Sequence, residues 1–389
     1  MKHAYLAIIV IATEDSCSLK ARPMLIQRIT VGEIKLPLKV PFKTALRTVT
    51  DVHDLVLIIE TETGLRGYGE APATAVITGD LLGSMRAALA LIAPRLIGKN
   101  LLDFNALLAT VHQSVVHHSS LKAALEIALF DLRAQQFGVP LYQLLGGGTP
   151  RIKTDVTISV NDSATMVQDC LRAVAEGFDA LKVKVGGRSW REDVDSTLAI
   201  HRAVGPTVSL RLDANQGWSP KQAVLVIQAL EAAGVALEFV EQPVKADDVA
   251  GLKFVTDHTL TPILADEAVF SVADALHILS TQSADIINIK LMKTGGLSQA
   301  IEVANLTRHH RRTCMVGCML ESGISVTAAA HFAVAHADVV TLIDLDGPQL
   351  CQGSVITGGL TMHGPWIDLS DAPGLGITDV QGLTDVQQY

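Results

Sequence analysis

Between residues 180 and 346 a set of short β-rich runs ends, again and again, in charged side chains. Asp213 closes LRLD (210–213), Glu241 closes EFVE (238–241) and Asp266 closes ILAD (263–266). Set on neighbouring parallel strands about 4.8 Å apart, three carboxylates repel one another unless a cation joins them. An all-oxygen set with room for water or substrate suits Mg²⁺ rather than Zn²⁺. A plainer use exists for each acid alone, as a cap on the helix that follows. Three in consecutive units, with lysines on both sides, favour the metal reading.

Lys182 and Lys184 stand two apart in ALKVKVG (180–186) and so share a face of one strand. Inside a packed strand both are costly unless they meet a polar site. Lys290 ends INIK (287–290), four strands further round, and therefore faces them across the carboxylate wall. Two opposed amines suit a racemase or epimerase: one removes a proton from an α-carbon and the other returns one to the opposite face. The α-proton of a carboxylate is a weak acid, so the intermediate needs preorganised positive charge, which Mg²⁺ and Lys182 can supply. Asp344 and Asp346, in LIDLDGP (342–348), also share a face and look across at the metal wall. A substrate lying between the lysines would extend toward them, and that end should be an ammonium. The competing use of this pair is to order the loop to Pro348 through turn hydrogen bonds.

These charged positions recur at intervals of roughly 25 to 30 residues, the length of one strand–helix unit of an eight-fold barrel. With DVTISV (155–160) as the first strand and CMVGCM (314–319) as the seventh, the eighth is LIDLD (342–346). The expected fold is α/β, a (β/α)8 TIM-type barrel over residues 151–346. Ahead of it, strand alternation from residue 25, a hairpin tip at Glu62, Thr63 and Gly64, and helical periodicity over 80–97, 103–115 and 119–138 predict an α+β domain over 24–150. The Gly- and Pro-rich segment 347–389 is expected to return toward that domain. Residues 1–23 are an N-terminal extension of unknown role. Their apolar stretch, 4–12, is too short to span a bilayer and is followed by Glu14 and Asp15.

A chain of 389 residues is long enough for such a barrel and a second domain. A formal net charge of −9 without a run of like charges offers no basic surface for nucleic acid or anionic lipid, so neither nucleic acid nor membrane is an expected partner. Five scattered cysteines lack metal or redox spacing and point to a reducing, cytoplasmic setting. His117, His118, His309 and His310 fall in predicted helices without ligand spacing.

The motifs KVK (182–184), LDANQGW (212–218), VEQP (240–243), ADE (265–267) and NIKLMKTGG (288–296) resemble those of the muconate-lactonising subgroup of the enolase superfamily. Within it, PFKTALRT (41–48), APATAVITGD (71–80) and DLDGP (344–348) are similar to the dipeptide epimerases, in particular those acting on L-alanyl-D/L-glutamate. The resemblance spans residues 24 to about 376. It implies a capping domain over the barrel mouth, Mg²⁺ on Asp213, Glu241 and Asp266, acid–base catalysis by Lys184 and Lys290, and an enediolate steadied by Lys182. It further implies that Asp344 and Asp346 hold the dipeptide's ammonium. Cap loops around Arg47 and Ile77 would close on the substrate, with Arg47 pairing to the side-chain carboxylate of a C-terminal glutamate. Hydrophobic or cationic dipeptides remain open, as do supporting roles for Asn215 and Glu321. Homo-oligomers are common in this family. Two other readings stand beside it: an N-acylamino acid racemase, o-succinylbenzoate synthase or cycloisomerase of the same subgroup, and a non-catalytic barrel that binds carboxylates or peptides.

Overall fold

A computed structural model of the chain describes residues 23–44 and 47–389. The extension expected over residues 1–23 lies, but for its last residue, outside the described residues.

The chain first forms a long antiparallel meander, β1 (Ile26–Lys43), β2 (Thr48–Thr61) and β3 (Arg66–Pro72), with the turn between the last two at 62–65. Period-2 burial drives it: Ile29 and Val31 of β1 and Leu55, Leu57 and Ile59 of β2 are fully buried. Three helices follow, Leu82–Leu96, Phe104–Ser114 and Ser119–Gln136, where the periodicity places them. The third lies directly on β3. A Cβ at Gly67 would stand 2.1 Å from the Ala128 carbonyl oxygen and one at Gly69 1.9 Å from that of Ala124, so only glycine permits this approach. His117 and His118 are not helical as expected. Both take left-handed backbone angles just ahead of the third helix, and His118 Nδ1 lies 3.3 Å from Asp80.

After a short strand, β4 (Arg151–Lys153), comes a sheet of eight parallel strands. These are β5 (Val156–Ile158), β6 (Ala180–Lys184), β7 (Ser209–Asp213), β8 (Leu237–Glu241), β9 (Ile263–Ala265), β10 (Ile286–Ile289), β11 (Thr313–Gly317) and β12 (Val340–Asp344). Each pairs with the next in sequence, and a helix joins every two. Asp155 N donates to Ile343 O at 3.3 Å and Leu345 N to Thr154 Oγ1 at 2.8 Å, bringing the last strand beside the first. The fold is a TIM-type barrel with an N-terminal α+β domain.

The remaining strands wrap the molecule. β13 (Ile356–Gly358) pairs with β16 (Ile377–Val380), while β14 (Leu360–His363) and β15 (Trp366–Leu369) extend β4. β17 (Thr384–Gln388) adds to the edge of the cap sheet beside β1. Two buried carboxylates of the cap sit on barrel helix N-termini, where backbone N–H groups and the helix dipole favour negative charge. Glu126 accepts from Ser298 N at 2.8 Å, and Glu70 from Ser322 N at 2.7 Å and Ser325 N at 3.0 Å. No helix among the described residues is long and apolar enough to cross a membrane.

Candidate active site

Strand register sets the site. Lys184 pairs level with Asp213 on the next strand, and Asp213 with Glu241 on the one after. Asp266 stands one residue past β9 and Lys290 one past β10, at the same end of the sheet. All five are buried, the carboxylates most deeply, with Asp213 and Glu241 at 0% exposure. Lys184 donates to Asp213 Oδ2, and Lys290 to Asp266 Oδ2 at 2.8 Å. Lys182 donates to Asp344 Oδ2 and lies 3.5 Å from Glu241 Oε2. With β6 and β10 four places apart in a sheet of eight, their lysines face one another across the barrel.

The electrostatics follow from this crowding. Burial, reinforced by Asp213, pushes the Glu241 carboxyl well above the usual range, with Lys182 opposing. Burial also works against ionisation of Asp266, but Lys290 and Lys293 outweigh it and hold that carboxyl below its ordinary value. For Lys182 the burial cost is overcome by Asp344, Glu241 and Asp213, so its ammonium is held charged well beyond the usual range. Lys290 is likewise held charged, burial being outweighed by Asp266 and Glu241.

Oxygen acceptors outnumber the protons offered to them. Glu241 Oε2, Glu267 Oε2 and Asn215 Oδ1 are buried without a hydrogen-bond partner. Asp266 Oδ1 meets Lys293 Nζ at 2.6 Å as an ion pair, in an orientation that makes no hydrogen bond. Hard, unsatisfied oxygens on a wall of carboxylates fit a hard dication. As they stand, no three such groups among the described residues form a ready coordination shell, because each carboxylate is drawn toward an ammonium.

The other expected residues gather here too. Arg47, Ile77, Lys182, Lys184, Asn215, Asp266, Lys290, Asp344 and Asp346 line one pocket, closed on the cap side by Phe42 and Thr44. Arg47 is half-buried, and its guanidinium makes no ion pair among the described residues; burial lowers its pKa and Asp54 is the carboxylate whose charge opposes this. Asp346 accepts from Thr157 N at 2.7 Å. Glu321 does not line the pocket but lies beneath it at the seam with the cap. A larger groove of about 740 Å³ adjoins the pocket and shares Phe42, Thr157 and Leu350 with it.

Some participants were not picked out from sequence. Lys293 is buried and donates to the carbonyls of Asp266 (2.5 Å) and Asn288 (2.9 Å), while Asn288 Nδ2 donates to Glu241 Oε1 at 2.7 Å. Both sit within NIKLMKTGG, and the cost of burying a second lysine three residues after Lys290 is the signal that could have found it. One layer below, Arg211 donates to Asp155 Oδ2 at 2.6 Å and to Glu238 Oε2 at 2.7 Å. Its place two residues before Asp213, on the same strand face, carried that signal.

The comparisons with known proteins agree with this geometry. Residues 26–146 match the mandelate racemase/muconate lactonizing enzyme N-terminal domain, and residues 165–379 the enolase C-terminal domain-like family. The chain is 45% identical to the L-Ala-D/L-Glu epimerase of Clostridium acetobutylicum, over 92% of this chain and 99% of that protein. Its fold is similar to a substrate-liganded complex of the L-Ala-D/L-Glu epimerase of Bacillus subtilis, with a TM-score of 0.91 at 45% identity over 92% of this chain and all of that one. The dipeptide epimerase of Enterococcus faecalis, solved with Mg and L-Leu-L-Tyr, gives a TM-score of 0.88 at 40% identity, covering 91% and 99% of the two chains. Both halves of the chain, together with the opposed lysines and the carboxylate wall between them, thus place it in the mandelate racemase/muconate-lactonizing family of the enolase superfamily.

Proposed function

We propose that this protein epimerises dipeptides at the α-carbon of the C-terminal residue, with an L-Ala-D/L-Glu dipeptide as the preferred substrate. The observation that carries the reading is the pair of lysines, Lys184 and Lys290, brought to opposite sides of one buried pocket by strands four apart. In this reading one lysine takes the α-proton and the other delivers a proton to the opposite face. Lys290, held as an ammonium, is the donor when the two begin in opposite protonation states. Lys182, a third buried ammonium, supports the negative charge that develops on the substrate's carboxylate oxygens as the α-proton leaves.

Asp213, Glu241 and Asp266 are the residues that would hold Mg²⁺. When bound, that ion supplies positive charge that makes the α-proton more acidic. Asp344 and Asp346 are assigned to the substrate ammonium, with Thr157 N fixing Asp346. Arg47 is assigned to the glutamate carboxylate, and Ile77 to covering the pocket beside it. The division into a cap over 24–150, a barrel over 151–346 and a returning segment over 347–389 is part of the same reading. So is a cytoplasmic location, supported by the free thiols of Cys170, Cys314, Cys318 and Cys351.

The test is α-proton exchange in D₂O, followed by NMR with Mg²⁺ and then with EDTA. The substrates are L-Ala-L-Glu, L-Ala-L-Leu, L-Ala-L-Lys and an N-succinyl amino acid. Magnesium-dependent deuterium uptake confined to the C-terminal residue of free-amine dipeptides is the expected result. Uptake only in the N-succinyl substrate overturns the assignment of Asp344 and Asp346.

A further inference from the structure

Three carboxyls meet, all but sealed from solvent, where the cap rests on the barrel. Asp54 of β2, Glu70 of β3 and Glu321 just past β11 are 2%, 0% and 3% exposed. Glu70 pairs in register with Val56, so Asp54, two residues away, lies diagonally across the same sheet face. Glu321 approaches from the barrel side. Its Oε1 accepts from Met319 N at 2.6 Å and its Oε2 touches Ser325 Oγ.

The proton count at Ser325 does not close. Its Oγ lies 2.8 Å from Glu70 Oε2 and is also in close contact with Glu321 Oε2. A hydroxyl has one proton to donate, so it satisfies one carboxylate and can only accept from the other. Two ionised carboxylates on that single hydroxyl would be buried like charges, an arrangement costly enough that one takes up a proton instead. Glu70 already accepts from the amides of Ser322 and Ser325 at a helix N-terminus, where backbone N–H groups favour negative charge. The extra proton therefore falls to Glu321, and Asp54, whose Oδ2 has no hydrogen-bond partner, adds a third acid beside Glu70.

We propose that Asp54, Glu70 and Glu321 hold one shared proton at the seam between cap and barrel, and that its loss loosens the seam and the pocket walls resting on it. Two walls are involved. Met319 and Leu320, continuous with Glu321, line the pocket, and so does Arg47, whose nearest carboxylate field is that of Asp54. The other titratable groups facing the cluster are Cys318 beside Glu321, Cys351 beside Glu70 and Asp54, and Lys290, whose charge favours ionisation of Glu321 only as a minor influence. The direction of the pH effect follows from burial. Burial, with Glu70 adding, pushes Glu321 up to about 7, and Asp54 is pushed well above its ordinary value for the same reasons. The folded seam thus binds a proton that the unfolded chain releases at about 4.5, so its stabilisation is complete below that value and is lost as pH rises through about 7.

The inference does not depend on the dipeptide substrate, and its test uses the full chain without one. Infrared difference spectra of the wild type across about pH 7 should show a carboxylic acid carbonyl component lost as pH rises that is absent in Glu321→Gln, whereas the contributions of Asp131 and Glu267, which burial also pushes up to about 7, persist in that variant. In parallel, amide hydrogen exchange of the segment bearing Ser322 and Ser325, corrected for intrinsic base catalysis, should lose up to about tenfold protection per pH unit between 4.5 and about 7, the limit for one linked proton, and level off above that. Glu321→Gln should flatten that slope. An acid band that is the same in the wild type and Glu321→Gln, or an unchanged slope in Glu321→Gln, overturns the proposal. Should that variant fail to fold, Asp54→Asn serves in its place: removal of a neighbouring acid should lower the midpoint, and an unmoved midpoint counts against a shared proton.

Discussion

Replacing Arg47 by methionine separates substrate recognition from catalysis, because Arg47 lines the pocket without a hydrogen bond or ion pair to its lysines and carboxylates among the described residues. Its loop is held by its backbone: Thr44 N donates to Arg47 O at 3.0 Å and Arg47 N to Thr44 Oγ1 at 3.3 Å. The substitution therefore leaves those contacts in place and removes only a guanidinium that has no ion pair among the described residues. A hydrogen-bonded pair between charged groups contributes roughly 1.5–3 kcal/mol, which corresponds to a loss of about 10- to 150-fold in kcat/KM for L-Ala-L-Glu at 1.4 kcal/mol per factor of ten. For L-Ala-L-Leu the same change replaces a desolvated cation by an apolar surface and should leave kcat/KM unchanged or higher. The assay is deuterium incorporation at the C-terminal α-carbon, with the two dipeptides competing in one tube. Equal losses for both substrates would mean that Arg47 serves the cap's structure, and no loss for either would mean that the glutamate carboxylate goes elsewhere. Either result refutes the assignment.

Three further outcomes follow from the packing. Lys290→Ala should lower epimerisation by about 10²- to 10⁴-fold, the usual contribution of one acid–base group, while α-proton exchange survives from only one epimer, as chiral separation of the deuterated dipeptides will show. Glu126→Ala removes the acceptor for His112 Nε2 (2.6 Å), Ser298 N (2.8 Å) and Ser298 Oγ (2.5 Å) at a fully buried site, and should destabilise the protein by about 3 kcal/mol or more, read as a lower urea midpoint. His331 should make the chain acid-sensitive. Its Nδ1 accepts from Tyr142 N at 3.0 Å and burial depresses its pKa from 6.5 to about 4, so the stability it contributes is present above 6.5 and lost as pH falls through about 4. Urea midpoints measured across that range should fall in the wild type and fall less steeply in His331→Gln, which can keep an acceptor.

The sequence by itself determined the barrel and the composition of its mouth. Parallel strands buried on both faces must be apolar almost throughout, so a charge that survives at the end of such a strand marks the one end that meets substrate. That is why Lys184, Asp213, Glu241 and Lys290 stood out before any coordinates; three strands end at Lys184, Asp213 and Glu241 as expected, whereas the first, seventh and eighth stop two residues short of their expected ends, at Ile158, Gly317 and Asp344. The hairpin at residues 62–64 and the three cap helices were legible for a similar reason, since turn chemistry and 3.6-residue periodicity are local.

What only the tertiary structure decided is which charges face which. The register that levels Lys184 with Asp213, the donation of Lys182 to Asp344 and the burial of Lys293 behind Asp266 join residues as far as 162 positions apart. The meeting of Glu70 with Glu321 and Ser325 depends on how the cap seats on the barrel, and nothing in β3 announces that its glutamate will cap a helix 252 residues away. His117 and His118 were misread as helical because their left-handed turn is imposed by the junction between two helices and the contact with Asp80, against the periodicity around them. Local pattern reports what each strand and helix must bury. Pairings between buried charges arise only when distant elements close on one another, because the energy that selects them exists only once water has been excluded between them.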